Sequence, residues 1–126
     1  MKRTGLYMLL CCLAFSCDTD EAEFPVLTTS GAQQIGRTSV VLEVEVREVG
    51  SIRPIRYGFL WGMAPGMDIF NAANRLDLGN ISERGKHSIK LELLSPGTRY
   101  FVRSFAANQE YSKIYYGNEM SFTTLD

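Results

Sequence analysis

The sequence predicts an all-β domain, a single antiparallel sandwich of six to seven strands. Three observations lead there. From Phe24-Pro25 onward, apolar residues recur at alternate positions in short runs, and no stretch carries the 3.6-residue period of an amphipathic helix. Gly, Pro, Asn and Ser separate those runs, as turns require. Near the C-terminus, Leu94 to Arg103 and Tyr116 to Thr124 read as two strands, the first entered through the turn Pro96-Gly97.

Taken in order, Val26-Leu27-Thr28-Thr29 supplies a first edge strand. Ser39 to Glu48 is the clearest strand: Val40, Leu42, Val44 and Val46 point one way, Glu43, Glu45 and Arg47 the other. That is period 2 with one buried face. Gly50-Ser51 ends it. Pro54 to Trp61 follows, with Tyr57, Phe59 and Trp61 assigned to the core, and Leu76-Asp77-Leu78 pairs as a short strand. Lys86 to Leu94 places Ile89, Leu91 and Leu93 inward. Arg99 to Ala107 puts Tyr100, Val102, Ser104 and Ala106 on one side, and Ile114 to Thr124 does the same with Tyr116, Asn118, Met120 and Phe122. The segment Met63 to Asn74 is longer and richer in Met and Asn than a tight loop needs.

The run Leu94-Ser95-Pro96-Gly97-Thr98-Arg99-Tyr100 resembles the Leu-x-Pro-Gly-Thr-x-Tyr pattern of fibronectin type III domains, an immunoglobulin-like fold. Arg56 to Trp61 is similar to that family's strand C and Tyr116 to Thr124 to its strand G, so the resemblance covers most of Val26 to Thr124. It implies that Tyr100 is the corner tyrosine, its hydroxyl bonding backbone across the turn. Physics asks for the same, since a tyrosine entering a core needs a partner for its OH.

Ahead of the sandwich, residues 1–16 read as a leader. Met1-Lys2-Arg3 is basic, Leu6 to Phe15 is almost wholly apolar, and a run of about ten is too short to span a bilayer. Leu13-Ala14-Phe15-Ser16-Cys17 then resembles the cleavage box of bacterial lipoproteins, of the loose kind found in Bacteroidota, although Ala14 stands where Leu is preferred. Cleavage there would free Cys17 for lipidation. The alternative is an ordinary signal peptide with Cys17 incidental. Cys11 and Cys12 leave with the leader, so one thiol remains and no disulfide can form within the chain; lipidation accounts for that lone thiol. Residues 17–25 then form a tether and 26–126 the sandwich. Asp18, Asp20, Glu21 and Glu23 make the tether acidic. This suits a solvated segment and is similar to the signal that sends such lipoproteins to the outer face of the outer membrane.

Removing Lys2 and Arg3 from the 13 basic residues leaves 11 against 14 acidic, and the tether holds four of those acids. The sandwich is therefore near neutral with mixed charge, which excludes nucleic acid as a partner. Nor does the chain carry a catalytic pattern. His87 is the single histidine, no motif pairs it with a nucleophile, and zinc would need more Cys or His ligands than exist. Glu43 and Glu45, about 7 Å apart along one strand face, are solubilising charge beside Arg47. Asp20, Asp68 and Asp77 are too scattered for a calcium loop, and no glycine-rich phosphate loop is present. Asn80-Ile81-Ser82 fits a glycosylation sequon by accident of composition. The expectation is a protein that is not an enzyme and uses no cofactor or metal.

What remains is surface. Leu60, Phe101 and Phe105 point outward, interleaved with Arg56 and Arg103, and aromatics flanked by arginine suit a recognition face. Alternatively the Met63–Asn74 segment covers them as a satellite core. The loop Asn108 to Lys113, with Gly50 to Arg53, forms a second candidate, a binding tip anchored by Tyr111. The resulting expectation is an outward-facing surface lipoprotein, held in the outer membrane through Cys17, that binds a protein partner for adhesion or envelope assembly. A carbohydrate-binding accessory of a polysaccharide-capture system is the alternative. Trp61 faces the core and counts against it, so Tyr111, Tyr115 or Phe105 would have to stack on sugar.

Overall fold

A computed structural model describes residues 23–126; the leader, Cys17 and the tether to residue 22 lie outside the described residues. Seven strands form: β1 (Val26–Thr29), β2 (Val40–Glu48), β3 (Ile55–Gly62), β4 (Asn74–Ile81), β5 (Gly85–Leu91), β6 (Arg99–Ala107) and β7 (Ile114–Thr123). They pair antiparallel in two sheets, β1-β2-β5 and β4-β3-β6-β7.

Alternation builds the core. Val40, Leu42, Val44 and Val46 from β2 meet Ile55, Tyr57 and Phe59 from β3 and Tyr100, Val102 and Ala106 from β6, all buried. Phe122 closes one side, and the half-buried Trp61 packs against the cluster with its ring edge on Tyr100. One polar pair sits inside: the hydroxyls of Thr29 and Ser104 lie 2.8 Å apart, and the Ser104 amide donates to Thr29 Oγ1. Neither group is left unsatisfied, which is the condition for burying it.

The Tyr100 hydroxyl accepts the Ser95 amide at 2.8 Å, so the corner expected from the Pro-Gly run is formed. Gly97 sits at φ 58°, in the left-handed region that glycine adopts without penalty.

Three expectations change. β5 ends at Leu91, and Leu93 is 95% exposed at φ 66° while Leu94 turns inward. The turn into the corner begins two residues early, so alternation no longer applies there. β4 runs eight residues rather than three. Tyr116 faces away from Asn118, Met120 and Phe122 because of a bulge. Arg103 pairs with Glu119 but Phe105 with Tyr116, so Ser104 alone opposes both Gly117 and Asn118. One extra residue reverses the side on which everything before it points.

The register also orients the domain. Val26, Glu48, Ile55, Ile81, Gly85, Ala107 and Ile114 mark one end. Glu23 lies there, its carbonyl accepting the amide and hydroxyl of Ser51. The roots of the segment 63–73, the β5–β6 turn and Asp126 belong to the opposite end.

Candidate functional site

The outer face of β4-β3-β6-β7 holds all five residues expected to bind. Gly58, Leu60 and Gly62 from β3 stand beside Phe105, Arg103 and Phe101 from β6. Glycine is required at 58, where a Cβ would run into the Leu76 carbonyl on β4. Its missing side chain also leaves room for the Phe105 ring.

Residues 63–73 fold back over this face. Met67 is buried with Leu60 and Phe105, and Ile69, Ala72, Phe101, Tyr111 and Tyr116 pack around them. Polar groups pin the cover from below. The Glu119 carboxylate accepts the amides of Gly66 (2.9 Å) and Met67 (3.3 Å). The Ile69 amide donates to Tyr116 Oη, and Arg103 Nη1 donates to the Met67 carbonyl. Arg103 Nε reaches the Gly117 carbonyl, and its guanidinium lies 5.0 Å from the Tyr116 ring centre. The flipped phase of Tyr116 is thus what allows it to hold the cover.

Of the two readings of this face, the structure has the satellite core. Leu60 and Phe105 have no exposed surface and cannot present themselves to a partner. Phe101 is half-buried under the Arg99 guanidinium, and Arg103 donates from Nε to the Gly117 carbonyl of β7 and from Nη1 to the Met67 carbonyl of the cover.

Tyr111 also differs from expectation. It sits at φ 60° in the β6–β7 loop and turns back onto the sheet. Its hydroxyl donates to the Asp77 carboxylate at 3.0 Å and accepts from Arg56 Nε at 3.2 Å. The guanidiniums of Arg56 and Arg75 lie 5.4 and 5.0 Å from its ring centre. Burial, then the hydrogen bond and the charge of Asp77, hold the phenol above its ordinary value, and the two arginines oppose this. Gln109 Nε2 donates to the Pro54 carbonyl and to Asn80 Oδ1, tying down the same loop. Tyr111 is a clasp rather than a free anchor.

The aromatics that sugar binding would need are likewise engaged: Phe105 is buried, Tyr111 is held by two arginines, and Tyr115 packs on Phe24 at 5.6 Å between ring centres. His87 is half-buried with its ring 4.9 Å from that of Tyr57. Among the described residues, no three His, Cys, Asp or Glu side chains converge as a metal site. What alternation could not indicate is Phe70. It stands 87% exposed on top of the cover. Its only signal in sequence is Asp68 two residues ahead, since an Asp there suits a side chain-capped turn.

No family model matches the chain, and no curated protein matches it. Solved structures do. The sensor domain of the anti-sigma factor RsgI4 of Pseudobacteroides cellulosolvens superposes with TM-score 0.59 at 18% identity, over 80% of this chain and 94% of that one. The fibronectin type III domain of human fibronectin type III domain containing protein 3 gives 0.53 at 15%, covering 87% and 92%. A redesigned β-sandwich gives 0.55 at 22%, covering 81% and 94%. At these identities the likeness shows the fold: a fibronectin type III-like β-sandwich.

Proposed function

We propose that this chain is a non-enzymatic binding module, held at the outer face of the outer membrane by acyl chains on Cys17, whose single sandwich engages a protein of the cell envelope. The leader pattern and the single thiol left after cleavage support the anchor. Several acyl chains at about 0.8 kcal/mol per buried CH₂ make such attachment permanent.

The observation that carries the reading is the polarity of the sandwich. Of six large apolar side chains left exposed among the described residues, Met63, Phe70, Leu93 and Leu125 lie in segments that leave the end away from Glu23. An anchor at Cys17 grips the near end through six residues, which reach at most about 20 Å. The loops 50–53 and 108–113 then face the membrane, Met63, Leu93 and Leu125 lie away from it, and Phe70 stands on the outer face of the four-stranded sheet. The fold's use as a sensor domain elsewhere is in keeping with a binding role.

Metabolic labelling with an alkynyl palmitate tests the anchor. The wild-type chain takes up label and sediments with membranes, whereas Cys17→Ser carries none and appears in the soluble fraction. Label persisting on Cys17→Ser, or membrane retention without it, defeats the lipoprotein reading. Protease added to intact cells should digest the wild-type chain; protection until lysis would place it inside.

A further inference from the structure

We propose that Phe70 is a preformed aromatic anchor that inserts into an apolar pocket of a partner protein. The inference rests on the binding-module reading but not on the acyl anchor. A lone exposed apolar residue is ordinary on a protein surface. What distinguishes Phe70 is how it is held. The Asp68 carboxylate accepts the amides of Phe70 (2.8 Å) and Asn71 (3.0 Å), and Asn71 Oδ1 accepts the Asp68 amide at 2.7 Å. The Ala72 amide closes one helical turn on the Asp68 carbonyl. Beneath that turn lie Met67 and the Glu119 cap, both fixed to the sheet. The ring is therefore offered on a backbone with little freedom left to lose, and such preorganisation lowers the cost of binding.

The surroundings select the occupant. Residues 63–73 include Met63, Met67, Ile69 and Phe70 with a single charge, Asp68, the composition of an interface core. A lipid surface would want cations beside the aromatic, and the segment has none. A sugar would want free hydrogen-bonding groups beside the ring, but Asp68 and Asn71 are turned to their own backbone. Two open clefts among the described residues carry charge, Glu45, Arg47, Glu48 and Arg84 in one and Glu83, Arg84 and His87 beside Ile81 in the other, so neither gives a second copy an uncharged receptor for the ring. An uncharged aromatic knob needs an apolar pocket with a neutral or basic rim. Within an interface, buried aromatics of this kind carry most of the affinity.

The test places a photo-cross-linker in the full-length chain in its own membrane, as Phe70→p-benzoylphenylalanine, with Leu93 and Tyr111 substituted the same way in separate strains. The expected result is one protein adduct from position 70, mapped to apolar residues of a different protein. Purified, that protein should bind Phe70→Ser about 30-fold more weakly than wild type, the loss typical of a hot-spot aromatic, while Phe70→Trp retains binding. A smaller loss overturns the assignment, as does an adduct on lipid, on glycan or on a second copy. Adducts from positions 93 or 111 alone overturn it while leaving the binding-module reading in place. No protein adduct from any position defeats both.

Discussion

The Tyr100 hydroxyl takes up an amide that the turn at Ser95 would otherwise leave without a partner at the edge of the core. Tyr100→Phe should therefore cost about 1–3 kcal/mol, the penalty for stranding a polar group, read as a lower urea midpoint with an unchanged slope. Leu93 predicts the opposite sign. A leucine at φ 66° carries roughly 1–2 kcal/mol of strain, and its exposed side chain gains no burial in return. Glycine relieves that strain at an entropic cost of about 0.5–1 kcal/mol, so Leu93→Gly should raise the melting temperature by a few degrees. An unchanged or lower melting temperature would show that Leu93 makes a stabilising contact. Tyr100 was legible in sequence because its motif joins a turn to a required hydroxyl partner. Leu93 is not, because the apolar alternation of the sequence continues two residues past Leu91, where the chain leaves the sheet.

Among the elements, the cover of residues 63–73 is the least expected and the most consequential. Alternation correctly placed Leu60, Phe101 and Phe105 on the outer face, but period 2 says nothing of what lies above that face. Composition marked the segment as unusual, and only the bulge at Gly117–Asn118, which brings Tyr116 beneath it, decides how it docks. That bulge is set by pairing across strands and is invisible along one of them. Glu119→Ala removes the acceptor for two amides of the cover. Hydrogen exchange at Gly66, Met67 and Ile69 should then accelerate by tenfold or more, consistent with about 1.4 kcal/mol of lost local stability, while amides of β2 stay protected. Equal protection in the variant would mean that Met67 packing alone holds the segment.

For the whole molecule, two tyrosines make stability fall on the alkaline side. Burial raises the phenol of Tyr57, and burial together with Asp77 raises that of Tyr111. Both hold their protons more tightly when folded, so their contribution is complete below about pH 10, the ordinary tyrosine value. It is lost as pH rises beyond that, because the unfolded chain gives up those protons first. Urea midpoints measured from pH 8 to 11 should fall above pH 10, and fall less steeply in Tyr111→Phe. Equal slopes would remove Tyr111 from this account.

With the proposed anchor at the Glu23 end and a proposed partner held at the cover, whose root is at the other end, the domain would be a link under tension. β1 lies along the direction of such a pull, and its ladder to β2 runs crosswise. Force along the strand strains those bonds together instead of opening them one at a time. The Asn118 side chain adds a fastening to the second sheet, accepting the Thr29 amide and donating to the Thr29 carbonyl. Gripped at its far end, the sandwich would yield by shear rather than by unzipping, and its endurance under load would follow its unfolding rate rather than its equilibrium stability.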